Sequence, residues 1–121
     1  MLIFVLLTTM FTANDLKQKC ASEELDARFY CLGYLTGFDD GTSITSATEQ
    51  QAMAASALDS AAGVAIAIQS YRRINGCNDG VTVGQVMLVF LKYVDNHPEE
   101  LHLPAAVVVS RAMLAAFPCR Q

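Results

Sequence analysis

Apolar side chains recur along much of the chain at three- and four-residue intervals, the period that aligns one face of an α-helix. The first stripe is Leu25, Phe29, Leu32 and Leu35, entered through Ser22-Glu23-Glu24. That entry supplies a capping hydroxyl and acids suited to the positive end of a helix dipole. Gly37 and the polar run Phe38-Asp39-Asp40-Gly41-Thr42-Ser43 predict its end, with Asp39, Asp40 and Gly41 read as a solvated turn rather than a calcium site. A second helix is predicted from Ser46 to Tyr71, a segment rich in alanine, the strongest helix former. Met53, Ala57, Ala61, Val64 and Ile68 trace its stripe, which suits the interior of a bundle or, more sharply, the seam of a homodimer.

Asn75-Gly76 and Asp79-Gly80 are strong turn signals on either side of Cys77. The third helix then opens with a predicted capping box, Thr82 capping and Gln85 reaching back, with Val81 placed to staple against Val86. Its stripe is Val83, Val86, Met87, Phe90 and Val94, and it closes at His97, which precedes Pro98 and is pushed out of helical geometry. Pro104 suits the start of a last helix carrying Ala105, Val108, Val109, Ala112 and Ala116 as far as Pro118. The run Ala106 to Ser110 looks strand-like alone but sits inside this longer helical period. The predicted fold is all-α, a compact bundle of about four helices stapled by disulfides.

The opening run MLIFVLLTTMFTA is apolar over about thirteen residues, short of the roughly twenty needed to span a bilayer. It matches the apolar core of a secretory signal whose basic start lies upstream of Met1. Residues 1–13 are therefore expected to be a signal-peptide remnant, cleaved near Ala13, and residues 14–121 the mature helical domain, with no membrane segment of its own. The alternative is a buried N-terminal strand or helix.

Cysteines at 20, 31, 77 and 119 make an even number in a chain that starts like an exported one, and two disulfides are expected. Cys119, two residues from the last one, reads as a tie for the terminus rather than a reactive thiol. Cys31–Cys77 with Cys20–Cys119 is the expected pairing, since both bonds link the first helix to the later hairpin. Antiparallel packing, which brings Cys77 and Cys119 to one end, makes Cys20–Cys77 with Cys31–Cys119 the competing arrangement. No Cys-x-x-Cys spacing supports zinc, and His97 and His102 do not share a helical face. A net charge of −4 argues against nucleic acid, whose phosphates demand a basic patch. No cofactor is implied. A catalytic Cys-His pair has no local signature, so the chain is read as a binding protein rather than an enzyme.

The segments CLGYLTGFDDG and GCNDGVTVGQVMLVFLKYVDNHPEELHLPAAVVVSRAMLAAFPC carry a resemblance that covers most of the mature chain. Cys31-x-Gly33-Tyr34, Cys77 ahead of Gly80-Val81-Thr82, Gln85, Tyr93, His97-Pro98 and Phe117-Pro118-Cys119, in that order, resemble the Rap/Tai immunity family of type VI secretion amidase effectors. The resemblance implies a periplasmic, all-helical protein that binds and blocks a peptidoglycan amidase, a papain-like cysteine amidase cutting between D-glutamate and diaminopimelate. It resembles in particular the group paired with the fourth amidase class, whose immunity proteins are homodimers. Motifs common to members that face different toxins should serve the fold, so Gly33, Tyr34, Gln85, His97 and Pro98 are read as structural. Partner contacts are expected from the idiosyncratic segment 71–80, through Tyr71, Arg72, Arg73, Asn75, Asn78 and Asp79, with Cys77 stiffening it. The alternative is a small periplasmic helical chaperone or stress protein, which promiscuous binding of unfolded clients would separate from one-to-one inhibition. A secreted hydrolase using Cys119 or His97 is a third class.

Overall fold

The computed structural model of the chain describes residues 10–54 and 60–120, with side chains from 10 to 46 and from 64 to 120. Among these residues five α-helices follow one another. They are α1 (Ala13–Ala21), α2 (Leu25–Ala54), α3 (Ser60–Asn75), α4 (Val83–Asn96) and α5 (Ala105–Ala116), with a 3-10 turn at Pro98–Glu100. No strand occurs among the described residues beyond a lone antiparallel bridge between Thr12 and Pro104. The fold is all-helical, as the periodicity predicts.

The core lies where α1 and the first half of α2 meet α4 and α5. Phe90, Val94, Leu16, Val108 and Val109 are fully buried there, each such side chain contributing roughly 1.5–3 kcal/mol of transfer free energy. The third and fourth predicted helices correspond to α4 and α5. Thr82 and Gln85 form the expected capping box, and His97 closes α4 with its backbone N–H on the Val94 carbonyl. Met113 joins the buried face of α5, while Ala116 at its end is exposed.

Around the expected cleavage point the chain packs against the core. Residues 1–9 lie outside the described part, but Phe11 packs on the core and Thr12 caps α1 in a capping box with Asp15. Ala13 is fully buried and donates its N–H to the Leu103 carbonyl at 2.9 Å, and Phe11 accepts from Ala105 at 2.9 Å. A cut on the C-terminal side of Ala13 would remove this joint. The helix α1 was hidden by the length of the apolar run ahead of it.

One correction concerns α2, which continues through Gly37 and the Asp39-Asp40-Gly41 stretch for 30 residues, roughly 45 Å. Leu35 is buried, Phe38 and Thr42 are half-buried and Ser46 is buried, so the helical period never breaks. Thr36, Thr42, Thr45 and Ser46 return their hydroxyls to carbonyls three or four residues back. Packing against α3 overrides the local turn preference. The alanine-rich segment is consequently divided between the end of α2 and α3. Of its stripe, Met53, Ala57 and Ala61 lie outside the described side chains, while Val64 and Ile68 are exposed. Leu25 and Phe29 are exposed as well, because the core line of α2 is Cys31 and Leu35. Phe29 precedes Cys31 by two residues, about 200° around the helix.

Both expected disulfide pairings are overturned. All four cysteines are bonded, but as Cys20–Cys31 and Cys77–Cys119. The tight corner at Ser22–Glu24 folds α2 back on α1, which puts the end of one beside the second turn of the other. Cys119 does tie the terminus down, to the loop that follows α3.

Among the described residues one charged group, Glu100, is buried at the rim of the core. Glu100 accepts hydrogen bonds from Arg111 Nη1 at 2.6 Å and from the Tyr93 hydroxyl at 2.7 Å. His97 stacks on Tyr93 with ring centroids 4.0 Å apart and donates Nδ1–H to the Tyr93 carbonyl at 2.8 Å. The Arg111 bond, seconded by Tyr93, holds the Glu100 carboxyl below its ordinary value of 4.5. Burial first and the Glu100 bond second push Tyr93 up to about 12. A lowered carboxyl favours the fold at neutral pH and loses that contribution as pH falls through its folded value. The raised phenol favours the fold below about 10 and loses its contribution as pH climbs toward 12. Tyr93→Phe should cost about 1–2 kcal/mol at pH 7, and Glu100→Gln should flatten the fall in stability below the ordinary glutamate value. Urea unfolding at several pH values checks both, and identical acid slopes in wild type and Glu100→Gln would remove Glu100 from this account.

Candidate partner-binding site

Segment 71–80 is helical at its start. The last turn of α3 runs through Asn75, and Gly76 (φ +70°) ends it in the left-handed conformation, its N–H on the Arg72 carbonyl at 2.8 Å. Gly76 lies directly under the end of α5, where an added Cβ would sit 2.4 Å from the Phe117 carbonyl oxygen. Cys77 donates its N–H to that same carbonyl at 2.8 Å, and its sulfur bonds Cys119. Ser110 Oγ donates to the Ile74 carbonyl at 2.6 Å. The loop is thus fastened to α5 by backbone, side chain and covalent bond before the turn Asn78-Asp79-Gly80-Val81 leads into α4. That turn closes with the Val81 N–H on the Asn78 carbonyl at 3.0 Å, and Gly80 takes the positive φ it needs (+78°).

The middle of α2 forms the opposite wall. The Tyr71 hydroxyl donates to Asp39 Oδ1 and receives the Asn78 side-chain amide at 3.4 Å. Burial and then the Asp39 bond raise the Tyr71 phenol above its ordinary value. Asn75 donates to Thr42 Oγ1 at 2.9 Å. Between these elements is an open cavity of about 350 Å³.

Of the six candidate contact residues, Tyr71, Asn75, Asn78 and Asp79 line this cavity. Asn75 is only 2% exposed, so it braces the site from beneath instead of presenting a face. Arg72 reaches Asp79 across 3.7 Å, an exposed pair worth little by itself. Arg73 is exposed on another side and lines a separate hollow with Arg72 and Cys119. Asp39, set aside as a turn residue, belongs to the site. Its signal was its place one helical turn after the buried Leu35.

Of the shared motif, Gly80 and Val81 line the cavity, and the residues read as structural sit elsewhere. Gln85 caps α4, His97 belongs to the Tyr93 cluster, and Tyr34 packs on Phe11 with centroids 5.2 Å apart. Gly33 is exposed with open space around it, and nothing in the fold explains it. His97, Glu99 and Glu100 are close enough to offer three ligand atoms to a metal, but both Glu100 oxygens are already engaged by Arg111 and Tyr93.

No described helix is long and apolar enough to cross a membrane. No curated protein and no solved structure matches the chain. The family model for Rap1a immunity proteins matches residues 12–119, from the cap of α1 to the cysteine that ties down the end. The chain belongs to the Rap1a immunity protein family.

Proposed function

We propose that this protein is a periplasmic immunity protein that binds and inhibits a peptidoglycan amidase, a cysteine amidase delivered by type VI secretion. Inhibition works by occlusion: the loop after α3 fills the narrow catalytic cleft and keeps substrate and water out. The observation that carries this reading is the fastened loop, since a segment already held by Cys77–Cys119 and the Gly76–Phe117 contact loses little freedom on insertion. Two disulfides suit an oxidising compartment, and the export leader is removed ahead of Phe11. Two copies of the chain pair through the outer faces of α2 and α3, where Ile44, Val64 and Ile68 stand exposed. No step asks this chain for chemistry.

The test is calorimetric binding and inhibition of the purified amidase effector encoded beside this gene. Arg72→Ala and Asp79→Ala should each weaken binding by about 1–2 kcal/mol while shifting stability by less than about 0.5 kcal/mol. His97→Ala should lose stability before it loses inhibition. Normal binding by the loop variants, with binding abolished by changes at Asp40 or Glu99, would put the contact on another surface.

A further inference from the structure

The cavity beside the loop has two unlike parts. Its floor is apolar, formed by Leu35, Phe38, Val86 and Met113. Its mouth is polar and carries two carboxylates, Asp39 from α2 and Asp79 from the turn, with the Tyr71 hydroxyl and the Asn78 amide beside them. Among the described residues no lysine or arginine lines it. Arg72 meets Asp79 at 3.7 Å from an adjoining hollow, whose wall Tyr71 and Asp79 share.

We propose that this cavity is a socket for one basic side chain, arginine or lysine, of the protein partner. The hydrocarbon stem lies over the Leu35–Phe38–Val86 floor and the cation sits between Asp39 and Asp79. Such side chains combine an apolar stem with a charged head, and the cavity offers the complementary surface to each part. A purely apolar guest would strip water from the two carboxylates and give nothing back. An acidic guest would meet like charge. The Tyr71 hydroxyl fixes the Asp39 carboxylate in place, so little ordering is left for the moment of binding. The volume, about 350 Å³, lies near the lower end of the roughly 300–1,000 Å³ typical of ligand pockets, which suits a side chain better than a whole substrate. The immunity reading supplies only the partner's identity. The socket belongs to this chain.

The test uses the full chain, isotopically labelled, titrated at low salt with blocked tripeptides Gly-Arg-Gly, Gly-Lys-Gly, Gly-norleucine-Gly and Gly-Glu-Gly and followed by amide NMR. The arginine or lysine peptide should shift the amides of Asp39, Asn78 and Gly80 saturably. Norleucine should bind about tenfold more weakly and the glutamate peptide not at all. Asp39→Asn keeps an acceptor for Tyr71 yet should weaken the basic peptide by about tenfold, the loss of one charged hydrogen bond. Asp79→Asn, at an almost fully exposed side chain, gives a second variant that should fold normally and bind more weakly. Equal binding of norleucine and arginine, unchanged affinity in both variants, or shifts scattered over the surface would overturn the socket. Amidase inhibition without peptide binding overturns the socket alone. Peptide binding without amidase inhibition overturns the immunity reading alone.

Discussion

Replacing Cys77 and Cys119 together by serine should lower stability by about 4 kcal/mol and weaken partner binding beyond what the loss of folded protein explains. The bond closes a loop of sequence separation 42. The chain-entropy relation gives about 4 kcal/mol for a loop of that length, against about 3 kcal/mol for the eleven-residue separation of Cys20–Cys31. The two bonds restrain different things. Cys20 and Cys31 are buried in the core, so breaking that bond loosens the α1–α2 corner and leaves the loop after α3 fastened to α5. Cys77 and Cys119 sit at the surface end of α5, and breaking theirs frees the proposed binding loop and the terminus at once. The measurement is denaturant unfolding of both double-serine variants alongside calorimetric binding to the proposed amidase partner at a temperature where each is folded. If the Cys77/Cys119 variant binds with wild-type affinity while folded, the loop needs no clamp and the proposed mechanism of inhibition loses its main support.

Gly76→Ala should cost about 3 kcal/mol, more than a surface loop substitution ordinarily does. Two effects add. A residue with a Cβ held at φ +70° pays about 1–2 kcal/mol relative to glycine. The new Cβ would also lie 2.4 Å from the Phe117 carbonyl oxygen and 3.1 Å from that of Met113. Both neighbours are backbone, and displacing the end of α5 adds overpacking strain of about 1–3 kcal/mol. The shift also breaks the Cys77 N–H bond to Phe117, so the loop should move even where the disulfide stays closed. Gly80→Ala provides the contrast. It shares the positive φ but has nothing within 4 Å of a Cβ, so only the conformational cost remains. Thermal melts of the two variants check this: equal losses would mean that the close approach to Phe117 contributes nothing.

Much of the fold was legible in the sequence where a helix is bounded by its own chemistry. The Thr82–Gln85 capping box, the closure at His97 and the apolar face of α5 could all be read from residue types and spacing. Legibility failed where long-range packing decides. Gly37 and Asp39-Asp40-Gly41 are turn formers by composition, but the Leu35–Phe38–Thr42–Ser46 period runs through them and α3 supplies the partner surface. Reading that stretch as a turn hid Asp39 from the site and merged two helices into one. The cysteine partners were unreadable for a related reason: without α1, nothing indicated that Cys20 and Cys31 face each other across a corner. Asn75 illustrates a smaller limit. Residue type marked it as polar and turn-forming, and only its burial against Thr42 shows that it braces the cavity wall.

The disulfide connectivity joins the first cysteine to the second and the third to the fourth. For a chain threaded across a membrane N-terminus first, that order coincides with the order of arrival in the oxidising compartment. Cys20 and Cys31 emerge close together and find each other before any competitor is present. Cys77 then waits for Cys119, which follows α5 in the chain, so that helix already has the residues it needs to dock. Thiolate attack on a formed disulfide is the route to rearrangement, and here sequential oxidation already yields the native pairs. On the proposed exported route, maturation can therefore proceed with an oxidant alone, without an enzyme that reshuffles bonds.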